Sequence, residues 1–223
     1  MTRPQVAALL TACAAVLVTV AGMAFAWSLR PPAPAPQSVE PPPDELRCGA
    51  TACQPVVKQD VGKDAVELLV GQGSGRIRIN GASGRYIFEL TIASSGAAIT
   101  DRSLECVDAE VAVCLVRGAV GNEVWGEVLV RRANAWSRAQ LPYVSSGAYL
   151  GLHDVNADAV ADVVAVQRAC ASGVDCPRRF AQVFSLVGTK TELGCTAVVN
   201  HQDQLPGWPD VSPGAGQLRS CGR

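Results

Sequence analysis

Eight cysteines beyond residue 46 constrain this chain more than any other feature: Cys48, Cys53, Cys106, Cys114, Cys170, Cys176, Cys195 and Cys221. An even set of this density reads as a disulfide framework in an oxidising compartment, and as metal or redox chemistry in the cytosol. The spacings favour the framework. They are irregular and contain no C-x-x-C pair, so the common zinc patterns are missing. Eight cysteines admit on the order of a hundred connectivities. The simplest joins near neighbours: Cys48–Cys53, Cys106–Cys114, Cys170–Cys176 and Cys195–Cys221. Such a framework requires export, and the N-terminus carries a segment suited to it.

From Val6 to Trp27 the chain is apolar, interrupted only by Thr11, Thr19 and Gly22. A helix needs about 20 residues to cross a bilayer core, whereas the apolar part of a secretory signal is usually about 7–15 residues. The run length therefore predicts a transmembrane anchor over residues 6–27, with residues 1–5 cytoplasmic and a single pass through the plasma membrane. Ala24-Phe25-Ala26 is also a cleavage site of the A-x-A kind, and cutting after Ala26 would give a secreted form. Leu10-Thr11-Ala12-Cys13 resembles a lipobox, but the apolar stretch before it is short and the residues after it are apolar. Cys13 is read as a small residue within a membrane helix. Arg3 and Arg30 flank the run and set its orientation only weakly; the cysteines place the long C-terminal part outside.

Residues 28–45 form a linker. The stretch from 31 to 45 holds half of the chain's 14 prolines, which block helix and sheet and favour an extended polyproline spacer. At about 3.1 Å per residue it reaches about 45 Å. The remainder, 46–223, is long enough for one domain with a sizeable core. Two of the 19 basic and three of the 20 acidic residues precede residue 46, so this domain carries equal numbers of each. A neutral domain has no electrostatic footprint for nucleic acid. Its arginine-over-lysine bias, with abundant Ala and Val, is that of a high-GC bacterial genome.

Beyond Leu46 the pattern is short alternating or β-branched runs separated by Gly, Asn and Asp, with no convincing helical period. Strands are predicted at 65–70, 76–80, 85–92, 97–100, 111–117, 124–131, 149–153, 162–167, 180–187 and 191–194. The fold class is all-β, in short antiparallel hairpin units stapled by disulfides. Three segments, 88–101, 126–138 and 181–193, each read as strand, small-residue turn and shorter strand. A unit of about 35–55 residues is the size of a propeller blade. Three are fewer than the usual four to eight blades, so an irregular propeller-like assembly and a β-sandwich both stay open.

One motif carries chemistry. Asp154, Asn156, Asp158 and Asp162 put oxygen side chains at positions 1, 3, 5 and 9 of a loop, and the Val160 carbonyl adds an oxygen at position 7. Hard oxygen donors of this number suit calcium, which accepts about 6–8 at flexible geometry. The spacing resembles the calcium loop of FG-GAP repeats, the blades of integrin-like propellers, over about residues 149–193. That resemblance implies a structural calcium in one blade-like unit. Positions 4 and 6 are Ala157 and Ala159 where such loops commonly carry glycine. Position 12 is Ala165 and supplies no bidentate carboxylate, which excludes an EF-hand.

Catalytic signatures are missing from the sequence: there is no G-x-S-x-G elbow, no H-E-x-x-H and no P-loop. Gly71-Gln-Gly-Ser-Gly75 lacks the lysine of a phosphate loop and reads as a β-turn. Of the two histidines, His153 ends a strand and His201 lies in a polar stretch facing water. Glu105, Asp108 and Glu110 cluster near one cysteine pair and read as a solvated hairpin tip. Trp125 and Trp136 read as core. Trp208, in Pro206-Gly-Trp-Pro209, falls inside the loop that a Cys195–Cys221 bond would close, where it is a candidate partner contact. The expectation is a non-enzymatic, membrane-tethered binding or structural module outside the cytoplasm, calcium-stabilised, facing an unknown protein or envelope ligand. The alternatives are a secreted carboxylate-dependent hydrolase and an accessory subunit of an envelope complex.

Overall fold

The computed structural model describes residues 47–139, 142–170, 176–188 and 191–222. The N-terminal segment, with its expected anchor and linker, lies outside the described residues. Among the described residues no helix is long and apolar enough to cross a membrane. All four near-neighbour disulfides are present: Cys48–Cys53, Cys106–Cys114, Cys170–Cys176 and Cys195–Cys221.

The fold is all-β and antiparallel. A short ribbon, β1 (Arg47–Cys48) and β2 (Thr51–Ala52), precedes three larger sheets. The first contains β3 (Gln54–Val61), β4 (Asp64–Gly71), β5 (Ser74–Gly81) and β6 (Gly84–Glu89) in sequence order. Two-residue turns join them, and the Gly71–Gly75 stretch is the turn from β4 to β5. The second contains β7 (Leu104–Val107), β8 (Ala112–Val120), β9 (Glu123–Arg132) and β10 (Ala135–Arg138). β11 (Tyr143–Ser145) also pairs with β9, at the end of β9 away from the β10 turn. The third contains β12 (Leu150–His153), β13 (Asp162–Arg168), β14 (Arg179–Phe184) and β15 (Glu192–Cys195).

Side-chain alternation stacks these sheets. In β8 the residues Ala112, Cys114 and Val116 join Val66, Leu68, Ile77 and Ile79 of the first sheet in one core. The intervening Val113 and Leu115 join Leu150, Val163 and Ala165 of the third sheet in a second core. A strand buried on both faces needs apolar residues at every position, and the run Val111-Ala-Val-Cys-Leu-Val116 supplies them. β13 repeats the device. Val163 and Ala165 face the second sheet, while Val164 and Val166 pack with Ala181, Val183, Leu205 and Val211. The last two belong to the irregular C-terminal tail, which covers the third sheet where a fourth would otherwise lie. The tail is held by the bridge between Cys195 and Arg219 and by the Cys195–Cys221 disulfide.

Charged groups join the layers. Between the first and second sheets the buried Asp64 meets Arg131 and Trp136. Between the second and third, Arg117 of β8 bonds Glu105 of β7 and the Leu150 carbonyl, while the Leu152 amide donates to Glu105 Oε1 at 3.2 Å. The apolar contact is tightest at Gly126, where a Cβ would meet Leu150 Cδ2 at 2.5 Å and Leu115 Cδ1 at 2.8 Å. Gly126→Ala is therefore expected to push the second and third sheets apart. The cost is about 2 kcal/mol, as for an added methyl in a filled core, read as a lower urea midpoint at unchanged slope.

The structure departs from the sequence reading in several places, among them the strand expected over 180–187, which ends at Phe184. The strand expected over 85–92 ends at Glu89, and α1 (Thr91–Ser94) follows as one helical turn. Its start is fixed from another sheet: Glu127 Oε1 accepts the Ile92 amide and the Thr91 hydroxyl, each at 2.7 Å. The strand expected over 97–100 is reduced to a single bridge, Ala98 to Ala119. The segment 88–101 is thus no strand–turn–strand unit, whereas 126–138 and 181–193 do contain the β9–β10 and β14–β15 hairpins. Finally, β1, β2, β3, β7 and β11 are strands that the alternation did not reveal.

Candidate functional site

The β12–β13 connection is the acidic loop. His153 and Asp162 are register partners, so 154–161 is closed at its base by the sheet itself. Its two valines enter different cores: Val155 packs into the one beneath the C-terminal tail and Val160 into the one between the second and third sheets. With both anchored, Asp154 and Asp158 are left exposed at the rim and Asn156 half-buried.

The side-chain oxygens fold the loop by accepting its backbone amides. Asp154 takes the amides of Asp158 at 3.2 Å and Ala159 at 3.0 Å. Asn156 Oδ1 takes Asp158 N at 3.1 Å, and its Nδ2 donates to Asp158 Oδ2 at 2.9 Å. Asp158 Oδ1 takes Val160 N at 2.9 Å, and Asp162 Oδ2 takes Val155 N at 3.0 Å. Ala157 and Ala159 lie in the left-handed region, at φ 60° and 64°. These are positions 4 and 6, where glycine would carry no penalty. For alanine the conformation costs roughly 1–2 kcal/mol each, strain that the surrounding contacts must hold.

Asp162 is the unusual group. Its side chain is fully buried and Oδ1 has no hydrogen-bond partner. Burial pushes its carboxyl up to about 6; amide bonds from Val155 and Asn156 oppose this, and the charges of Asp158 and Asp154 add to it. A buried, half-satisfied carboxylate is costly, and it closes a loop whose other donors are the expected hard oxygens. Oxygen donors of this kind could hold a hard cation if they were drawn together.

The three carboxylates do not yet converge. Among the described residues, the His/Cys/Asp/Glu group with all donor atoms within 4.8 Å is Glu192, Cys195 and Cys221. Those two cysteines are joined in a disulfide, so neither offers the thiolate a metal needs. That group is no metal centre.

A second cluster adjoins the loop. Tyr149 Oη donates to Asp210 Oδ1 at 2.9 Å and lies 2.9 Å from His153 Nε2, which is itself 3.1 Å from Asp210. Burial raises the Tyr149 phenol far above its usual range, and the Asp210 hydrogen bond and charge raise it further. The phenol therefore stays protonated and acts as a hydrogen-bonding hub, tying β12 to the tail. The sequence contains half of its signal: Tyr149 and His153 fall on one face by alternation, but Asp210 arrives only because the tail folds back over the third sheet.

The remaining candidates have structural surroundings. Trp208 is half-buried and packs against the core beneath the tail, with Val155 and Val164. Trp136 is buried and Trp125 packs at the edge of the first core. His201 is exposed. Glu105 and Asp108 are engaged by different arginines at different interfaces, Glu105 by Arg117 and Asp108 by Arg131 at 3.3 Å. No family model, curated protein or solved structure matches this chain. Its functional reading therefore rests on its own residues.

Proposed function

We propose that this chain is a non-enzymatic binding or structural module, held outside the cytoplasm by its N-terminal segment and stabilised by calcium. The observation that carries the calcium is Asp162 Oδ1, buried without a donor at the end of a loop that offers four further oxygen donors. Asp154, Asn156, Asp158, the Val160 carbonyl and Asp162 would hold the ion, and the Asn156–Asp158 side-chain bond would open to let them converge. The ion would supply charge neutralisation at the base of the β12–β13 hairpin. The left-handed backbone at Ala157 and Ala159 further supports the likeness to an FG-GAP loop. On this reading the three larger sheets, two of four strands and one of five, are blade-like units of an irregular propeller-like stack, closed by a tail instead of a fourth blade. The engagement of Glu105 and Asp108 by separate arginines favours a module over a hydrolase, which needs two carboxylates facing one bond.

Calorimetric titration with calcium should give saturable binding near one ion per chain, with a higher melting temperature. A flat titration with no thermal shift would remove calcium from the proposal. Export is tested apart from it. Alkaline phosphatase fused after residue 46 should be active, because that enzyme needs its own disulfides; an inactive, stable fusion would refute the location.

A further inference from the structure

A cleft of about 730 Å³ opens between the second and third sheets, where β9, β10 and β11 face the segment joining β14 to β15. Its apolar wall is formed by Val130, Tyr143, Val144, Phe184 and Leu186. The Tyr143 and Phe184 rings meet edge to face, 5.4 Å apart at 62°. Burial pushes the Tyr143 phenol up, so the ring stays neutral. The volume lies in the range of small-molecule sites, about 300–1,000 Å³.

The charges lining this cleft are of one sign. Among the described residues two arginines border it, Arg132 and Arg138, and no carboxylate does. Arg138 is committed elsewhere, 3.4 Å from the buried Glu127 and bonded to the Glu89 carbonyl. Arg132 is exposed and bonded to the Leu186 carbonyl, and it has no carboxylate partner among the described residues. In a domain of balanced charge, an apolar cleft with an unneutralised guanidinium at its mouth carries positive potential. A planar guanidinium also matches a carboxylate through two parallel hydrogen bonds.

We propose that this cleft binds a small amphipathic organic anion, with its aromatic or acyl body on Tyr143 and Phe184 and its carboxylate on Arg132. The assignment deepens the binding-module reading by naming a site and a ligand class, and it uses none of the calcium-loop residues. Its failure is therefore separable from failure of the calcium titration or the export fusion.

The test uses the full chain and two probes, 6-phenylhexanoate and its neutral amide, in matched calorimetric titrations. The carboxylate should bind saturably and more tightly than the amide. Arg132→Gln should weaken the carboxylate by about tenfold, one lost charge-assisted contact, and leave the amide unchanged. Val187 borders the cleft and is 45% exposed, so Val187→Trp should fold normally and weaken both probes by blocking the mouth. Unchanged melting temperatures would confirm that both variants are folded. The proposal is overturned if the carboxylate shows no saturable binding up to about 1 mM, if Arg132→Gln binds it as well as the parent chain does, or if Val187→Trp leaves both probes unaffected.

Discussion

Replacing Asp64 with alanine is expected to destabilise the domain by about 3 kcal/mol, the cost of removing the buried partner of an ion pair together with the acceptor of a buried indole N–H. Asp64 opens β4, and its side chain is 1% exposed. It accepts hydrogen bonds from the Ser83 amide at 2.9 Å, Trp136 Nε1 at 2.9 Å and Arg131 Nη1 at 3.3 Å. Arg131 also donates to the Val61 carbonyl at 2.9 Å and stands 5.7 Å from the Trp136 ring centre. One carboxylate therefore binds a turn of the first sheet and two strands of the second. Alanine would leave the indole N–H without its acceptor and the guanidinium with Asp108, 3.3 Å away at the rim, as its remaining carboxylate.

The same group makes stability depend on acid. Burial alone pushes the Asp64 carboxyl up, but hydrogen bonds from Ser83, Trp136 and Arg131 outweigh it and hold the group at about 2, below its ordinary 3.8. The unfolded chain takes up this proton near pH 4 and the folded one near pH 2. The contribution is thus fully present above about pH 4 and disappears as pH falls toward 2. A displacement of that size corresponds to about 2 kcal/mol. Chemical denaturation at pH 7 and again near pH 2.5 should show a larger acid loss in the parent chain than in Asp64→Asn, which has no proton to gain. Equal losses would mean that acid acts elsewhere.

This clasp was not legible in the sequence, for a physical reason. Asp64 follows Gly62-Lys63 in a turn, where a polar residue is unremarkable, and its partners Arg131 and Trp136 lie some 70 positions away on another sheet. Local patterns carry what local forces decide. The close cysteine pairs could be matched because hairpins bring such neighbours together, as Cys106 and Cys114 opposite one another in β7 and β8 show. The doubly buried β8 announced itself by an unbroken apolar run, although which face met which sheet did not. β3 was missed because Gln54-Pro-Val-Val-Lys-Gln-Asp-Val61 does not alternate. It is an edge strand with a register shift between Pro55 and Val57, where proline is tolerated. The helical turn at 91–94 was missed because its cap, Glu127, comes from β9. In the acidic loop, spacing identified the donor atoms and flagged the two alanines. The burial of Asp162 depended on the third sheet forming around it.

That burial supports the second large prediction, a reversal in the rank of two proteins. Without calcium, Asp162 holds a desolvated carboxylate with one oxygen unpartnered, beside the like charges of Asp154 and Asp158. Asp162→Asn removes the charge and keeps an oxygen for the Val155 amide. The calcium-free variant should therefore melt no lower than the calcium-free parent. With calcium at about 100 times its dissociation constant, the parent should gain about 2.7 kcal/mol, or roughly 5–10 °C for a domain of this size. The variant should gain little, because an amide oxygen is a poor substitute for a carboxylate at a hard cation. Thermal melts of both proteins in chelator and in calcium read all four states. A variant that loses the same stability in both conditions would make Asp162 a cap for the Val155 amide. An order that inverts when calcium is added requires a group whose charge harms the empty loop and serves the filled one, and in this loop Asp162 combines that charge with full burial.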